Sequence, residues 1–334
     1  MERRLYASLN SIGAYVPSKV VTNDDLAKIV DTSDEWITKR TGIKERRFAA
    51  ENEVTSDLAT NAARVAIERA GLSADDIDAI IVATISPDFL CMPSTACVVA
   101  NNLGITGKPA FDIAAACSGF IYLLFLAKSL IESGAHQHIL IIGAEKLSSI
   151  LDMEDRSTCV LFGDGAGAAI ISATEDKSLS ILDVNCAANG QYKDFLMTPG
   201  CGSRNPASSE VLQERLQFIK MKGNETFKLA VKTLTQDVIE ILERNHLSKD
   251  SIDFFVPHQA NLRIISAVGE TLKFPIEKIA LTVQKYGNTS AASIPMAIND
   301  LYEAGSIKKG SRLLLDAFGG GLTWGSAILT FGGK

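Results

Sequence analysis

The 334-residue sequence has no apolar run approaching the ~20 residues that a membrane-crossing helix needs. Its N-terminus carries two arginines but no continuous apolar stretch of signal-peptide length. Both absences predict a cytoplasmic protein with no membrane partner. Histidine is scarce, with four in all, and the six cysteines (91, 97, 117, 159, 186 and 201) form no CxxC pair and no His/Cys cluster at ligand spacing. Neither a structural metal nor a disulfide framework is therefore expected. Basic charge is not in excess either. A net charge of −6 argues against a nucleic-acid partner, which needs a concentrated basic face. Proline is sparse, at nine residues, and 46% of the chain is apolar against 22% charged. That composition excludes disordered and fibrous classes and predicts a compact globular protein with a large core.

The chain contains one pattern written twice. Leu72-Ser-Ala-Asp-Asp-Ile-Asp78 leads into the apolar run 79–84, and Leu247-Ser-Lys-Asp-Ser-Ile-Asp253 leads into Phe254-Phe-Val256. An amphipathic helical stretch precedes each, over 55–70 and 224–245, with apolar residues at three- and four-residue spacing. Further on, ILIIGA (139–144) resembles RLLLDA (312–317), and GAAII (167–171) resembles GSAIL (325–329). Near-continuous apolar strands alternating with helices call for α/β layering with sheets covered on both faces. The prediction is a layered α/β sandwich of two similar halves, 1–175 and 176–334, related by a pseudo-twofold axis. Segment 187–216, rich in Gly, Pro, Asn and Ser, reads as an excursion over the second half and a candidate lid.

Three residues stand out for chemistry. Cys117 ends the small-residue stretch Phe111-Asp-Ile-Ala-Ala-Ala-Cys and precedes an apolar helix over 120–130. A free cysteine among alanines is ordinarily a packing residue. The start of a helix is different, because unpaired N–H groups and the macrodipole there favour a thiolate and a lowered pKa. His258 leaves a buried strand in Pro257-His-Gln-Ala-Asn261 where a helix begins, whereas His136 and His138 read as helix-end residues and His246 as a turn residue. Asn288, in Tyr286-Gly-Asn-Thr-Ser-Ala-Ala-Ser293, follows Cys117 by 171 residues, near the repeat offset, which predicts equivalent positions in the two halves. Two glycine-rich stretches are less telling. Phe162-Gly-Asp-Gly-Ala-Gly167 leads into a strand and so fails as a dinucleotide fingerprint, and Phe318-Gly-Gly-Gly-Leu-Thr-Trp-Gly325 reads as a turn between strands that can present a backbone N–H to a carbonyl.

Taken in order, ACSGF (116–120), PHQAN (257–261), YGNTSAAS (286–293) and FGGGLTWGSA (318–327) resemble the β-ketoacyl-acyl carrier protein synthase III family, as do GAYVPSKVVTNDDLA near the start and DEWITKRTGIKERR at 34–47. The resemblance spans nearly the whole chain and implies a thiolase-like fold. It makes Cys117 the acyl-accepting nucleophile, His258 and Asn288 the pair that handles a decarboxylating malonyl group, and the N–H groups of Cys117 and Gly321 an oxyanion hole. It places Trp36 and Arg156 on either side of the coenzyme A adenine, with Arg40 near the phosphates and Gly223 and Asn224 also on coenzyme A. Arg263, Lys228 and Lys222 become the docking face for an acidic acyl carrier protein, and Met92 the residue that reaches into a partner subunit's acyl pocket. The substrates implied are an acyl-CoA, acetyl-CoA first among them, and malonyl-acyl carrier protein, with no cofactor and a homodimeric assembly. Asn in place of a second histidine favours chain initiation. Hydroxymethylglutaryl-CoA synthases and plant-type polyketide synthases share the Cys and His, papain-like hydrolases use Cys, His and Asn, and a nucleotide-binding module would rest on Gly163–Gly167.

Overall fold

The computed structural model describes residues 4–333; Met1, Glu2, Arg3 and Lys334 lie outside the described residues. Alternation along the strands sets the layers. In β6 (His138–Glu145), Ile139 and Ile141 enter one apolar cluster while Leu140, Ile142 and Ala144 enter another, so both faces are covered. Beside it runs β4 (Ala79–Ala83), buried throughout and parallel both to β6 and to β5 (Ala110–Ile113). Two antiparallel strands, β7 (Gly165–Thr174) and β1 (Tyr6–Tyr15), complete the sheet β1-β7-β6-β4-β5. The second sheet joins β8 (Ile181–Ala188), β11 (Phe254–Pro257), β12 (Arg312–Gly319) and β13 (Thr323–Thr330) in the order β11-β12-β13-β8. Read from its β8 edge, it repeats the order and directions of β1-β7-β6-β4.

Between the sheets lie α5 (Gly119–Glu132) and α10 (Ser293–Glu303), whose Phe120, Ile121, Leu124, Ile294, Ala297 and Ile298 share one cluster with residues of both sheets. Outside the first sheet, α3 (Thr55–Ala70) and α4 (Thr95–Leu103) pack on the even-numbered face of β4 and β6. Outside the second, α7 (Gly223–Arg244) and α8 (Leu262–Leu272) cover Phe255, Leu314 and Ile328. The result is five layers, helix–sheet–helix–sheet–helix. Equivalent elements are offset by 174 residues: β6 and β12 begin at 138 and 312, α5 and α10 at 119 and 293. That register corrects the expected pairing of Cys117 with Asn288. The turns before α5 and α10, Ala116–Ser118 and Ser290–Ala292, keep the same offset, so the counterpart of Cys117 is Ala291 and Asn288 lies three residues earlier.

A hairpin of β2 (Lys19–Thr22) and β3 (Glu45–Phe48) encloses α1 (Asn23–Ala27) and α2 (Asp34–Thr41). Its Arg46 is fully buried and donates to the carbonyls of Val21 and Val160 and to Asn23 Oδ1. Segment 187–216 is mostly irregular, with a two-residue strand β9 (Leu196–Met197) paired to β10 (Lys220–Met221) and a short α6 (Ser209–Gln213). Arg215 ties it down through Nε to Asp152 Oδ2 at 3.0 Å. His138 opens β6, six residues beyond the end of α5, rather than ending a helix as the sequence suggested, and its Nδ1 meets Ser172 Oγ at 2.9 Å. Among the described residues, no helix is long and apolar enough to cross a membrane, and no group of three or more His, Cys, Asp or Glu side chains could hold a metal ion.

Candidate active site

Cys117 sits in a one-turn 3₁₀ segment, Ala116–Ser118, between the end of β5 and the start of α5. No side chain caps α5. Ser118 turns its hydroxyl to the Ala115 carbonyl and to Thr323 Oγ1 instead, so the positive end of the helix is left to whatever lies before it. The thiolate expected from this placement is not the resting form. Cys117 is only 4% exposed, and burial pushes its thiol up to about 12, against the opposing pull of hydrogen bonding from Ser290 and Asn288. Desolvation outweighs those hydrogen bonds and favours the neutral thiol.

His258 follows β11, its N–H donating to the Asp316 carbonyl of β12 at 2.8 Å. Its Nδ1 lies 2.6 Å from Ser293 Oγ, and that oxygen also accepts from the Gln259 N–H. With the Ser293 hydroxyl donating to Nδ1, the ring hydrogen lies on Nε2. Nε2 is buried with no protein partner, and burial lowers the imidazole to about 3, so the ring is a neutral donor. Asn288 is fixed by backbone bonds to Leu161 and Gly163 on either side of Phe162, following the short helix α9 (Val283–Tyr286). Its Oδ1 accepts from the Ser290 N–H at 2.8 Å, which leaves Nδ2 as the free, donating end.

Cys117, His258 and Asn288 line one cavity of about 660 Å³, together with apolar Leu196, Phe227, Ile264 and Phe318. The turn joining β12 and β13 closes in behind the nucleophile. A Cβ on Gly319 would fall 2.6 Å from the Cys117 nitrogen, so only glycine admits this approach, while one on Gly320 would meet the Leu196 carbonyl oxygen at 3.0 Å. A Cβ on Gly321 would instead neighbour Thr323, so within this turn it is Gly319 that approaches Cys117 most closely.

At its outer end the cavity shares Trp36, Arg40 and Arg263 with a shallower depression of about 710 Å³ that adds Ser33, Glu35 and Lys39. Gly223, Asn224 and Lys228 line the inner cavity, while Lys222 lies over the Phe195 ring at 5.7 Å. The Trp36 ring is approached by the guanidinium of Arg40 at 4.4 Å and of Arg156 at 5.2 Å. Those are direct cation–π separations, so a base entering between Trp36 and Arg156 must move the arginine, which is also bonded to the Asp31 carbonyl. Met92 is 80% exposed beside Leu90 at 79%, an apolar tip remote from this chain's own core.

Several residues around the site carried no signal that the sequence reading used. Ser293 and Ser290 were inside a quoted motif but lacked a role, since only the fold brings them to His258 and Cys117. Gln259, buried, donates to the carbonyls of Pro257 and Ala280 and accepts from the N–H groups of Thr282 and Val283, fixing the turn after His258. Glu145 ends the apolar run ILIIGA, and an acid closing a buried strand was the available clue.

Comparison with known proteins agrees with this geometry. Residues 111–190 match the family described as 3-oxoacyl-[acyl-carrier-protein (ACP)] synthase III, and residues 242–331 match its C-terminal counterpart. The "Beta-ketoacyl-[acyl-carrier-protein] synthase III" of Campylobacter curvus is 66% identical over 99% of this chain and 98% of its own. That of Helicobacter hepaticus is 62% identical over 99% of both. The crystal structure of 3-oxoacyl-[acyl-carrier-protein] synthase III from Aquifex aeolicus superimposes with a TM-score of 0.90 at 48% identity, covering 97% of this chain and 100% of that one. With the five-layer fold and the Cys, His and Asn on one cavity, these matches make the chain a member of the 3-oxoacyl-[acyl-carrier-protein] synthase III family, with its thiolase-like fold.

Proposed function

We propose that this protein is an initiating condensing enzyme of fatty acid synthesis, an acyltransferase that loads an acyl group from acyl-CoA onto Cys117 and joins it to the two carbons left when malonyl-acyl carrier protein loses carbon dioxide. The observation that carries the reading is the meeting of a buried thiol with two neutral donors, His258 Nε2 and Asn288 Nδ2, on one cavity. Decarboxylation builds negative charge on the malonyl thioester oxygen, and two fixed N–H groups stabilise that charge as it develops. A histidine held at about 3 keeps its ring neutral and its N–H available at any physiological pH. The Cys117 N–H, with those of the Gly319–Gly321 turn, serves the tetrahedral intermediate of acyl transfer. Loss of carbon dioxide drives the carbon–carbon bond, so the chemistry calls for no cofactor.

The cavity mouth supports coenzyme A as the incoming carrier. Trp36 and Arg156 offer faces for the adenine, Arg40 offers charge to phosphate, and Gly223 and Asn224 flank the channel at the start of α7. Arg263, Lys228 and Lys222 form the docking edge for an acidic carrier protein. The exposed Leu90–Met92 tip fits a homodimer in which Met92 enters the partner's acyl pocket. We read the chain as two fused, similar halves meeting near residues 175–180 and acting in the cytoplasm on small thioesters, without nucleic acid.

Incubation with acetyl-, propionyl-, isobutyryl-, isovaleryl- and octanoyl-CoA in equimolar mixture, followed by intact mass, tests the reading. One acyl adduct on the wild type and none on Cys117→Ala is expected, and its mass names the primer. An unmodified wild-type protein would overturn it.

A further inference from the structure

Burial leaves Cys117 as a thiol and His258 too weak a base to take its proton, so the acyl transfer just proposed needs another acceptor. Glu145, the last residue of β6, is fully buried and has no basic partner among the described residues. Its carboxyl accepts from Ser86 Oγ at 2.6 Å, Thr84 Oγ1 at 3.1 Å and the Ile85 N–H at 3.1 Å. Against β6 is pressed the turn Ser290–Ala292, so closely that a Cβ on Gly143 would stand 2.3 Å from the Ala291 carbonyl oxygen. Ser290 is buried at φ +49°, a backbone that serine rarely adopts, with its N–H committed to Asn288. Its buried hydroxyl makes no close hydrogen bond at rest but lies near enough to the Cys117 thiol and the Glu145 carboxyl to lower the pKa of each.

We propose that Glu145 holds the thiol proton of Cys117 throughout the life of the acyl-enzyme, receiving and returning it through the hydroxyl of Ser290. On acylation the S–H proton passes to Ser290 Oγ as the Ser290 proton passes to Glu145. The thiolate forms its bond to the acyl carbonyl carbon, and coenzyme A leaves as its thiolate. On condensation the malonyl-derived carbon bonds to that carbonyl, the bond to Cys117 breaks, and the reverse shift restores the thiol. The negative charge of the malonyl carboxylate, lost with carbon dioxide, reappears on the released coenzyme A thiolate, which takes one proton from solvent because a thiol pKa of about 8.5 lies above neutral pH. Burial sets Glu145 at about 7, so it is partly ionised at neutral pH and a far better base than His258. Neither Glu145 nor Ser290 touches substrate; Ser290 exchanges a proton with the nucleophile, and Glu145 acts only through Ser290.

The inference rests on the proposed acylation, and one experiment separates the two. The protein is mixed with acetyl-CoA and followed in parallel by intact mass and by difference infrared spectroscopy. Alongside the adduct, a carboxylic-acid C=O band should appear in the wild type, shift in heavy water and be missing in Glu145→Gln. Glu145→Gln and Ser290→Ala should acylate about 100-fold more slowly, with Glu145→Asp recovering part of the rate. An adduct without a new acid band, or wild-type acylation rates in both variants, overturns the proton-holding role while leaving the condensing reading intact. Absence of the adduct itself overturns both. If Glu145→Gln does not fold, Ser290→Ala, which removes only one hydroxyl, decides by its acylation rate.

Discussion

His258 and Asn288 each spend one side of their functional group on the protein and keep the other for the cavity. Ser293 holds His258 Nδ1 and the Ser290 N–H holds Asn288 Oδ1, so the two free N–H groups are aimed before any substrate arrives. Replacing either residue by alanine removes one preset donor, for which a loss of about 10²–10³ in malonyl decarboxylation is expected. Self-acylation of Cys117 should survive, because that step needs the thiol and the backbone N–H groups instead. Measuring carbon dioxide release and acyl-adduct formation on the same preparations checks this; parallel loss of both activities would show that the roles are divided wrongly. At this scale the sequence disclosed the residues whose chemistry is distinctive, a Cys, a His and an Asn each at the edge of a patterned element. It did not disclose Ser293, Ser290 or Glu145. Serine and glutamate are common, and what singles these out is the side chain that distant segments set beside them. The thiol's state was also hidden, since a helix start can be read from sequence but the extent of burial cannot.

Alternation within strands decides what each sheet face meets. Residues 313, 315 and 317 of β12 point to the central helices, so Leu314 and Asp316 point outward to α7. Asp316 is paired across the sheet with Ser326, and Ser326 with Asn185, whose amide donates to Asp237 on α7. Both Asp316 oxygens are buried without partners, and burial, with Asp237 nearby, raises its pKa well above the usual carboxylate value. The folded state therefore keeps a proton that the unfolded chain loses above about pH 4. Stability from this group is complete below that pH and declines as pH rises toward the folded pKa, by at most about 1.4 kcal/mol per pH unit. Asp316→Asn, neutral and of the same shape, should flatten the fall in Tm between pH 5 and pH 8 and raise Tm at the upper end. An unchanged slope in thermal melts would mean that Asp316 is not the group responsible. The long elements themselves were readable: the helix over 55–70 and the strands after Asp78 and Asp253 occur where the periodicity put them. Element ends and loop positions were not, which is why His138, the first residue of β6, and Asn288 were misplaced.

Over the whole molecule, acidic and basic charge are separated by function. The net charge is −6, yet Lys39, Arg40 and Arg263 surround the cavity mouth, with Lys222 and Lys228 at the start of α7 beside it. Arg263 is held over Phe227 at 5.1 Å at the first turn of α8, which fixes its charge at the rim rather than leaving it to wander. A carrier of negative charge is drawn to this basic rim although the net charge of the protein is negative, so the local field both attracts and orients it. The interaction is between exposed groups and is screened beyond about 8 Å at physiological ionic strength. Raising salt from low to physiological strength should therefore raise the KM for malonyl-acyl carrier protein while kcat stays nearly constant, because docking is weakened and the buried chemistry is not. Charge reversal, Arg263→Glu, should raise that KM about tenfold or more at low salt and leave a shallower salt dependence. Initial rates across a salt series, with carrier protein varied against saturating acyl-CoA, give both parameters. A flat KM in the wild type would remove Arg263 and the α7 lysines from docking, and a fall in kcat alone would place salt's effect in the chemical steps.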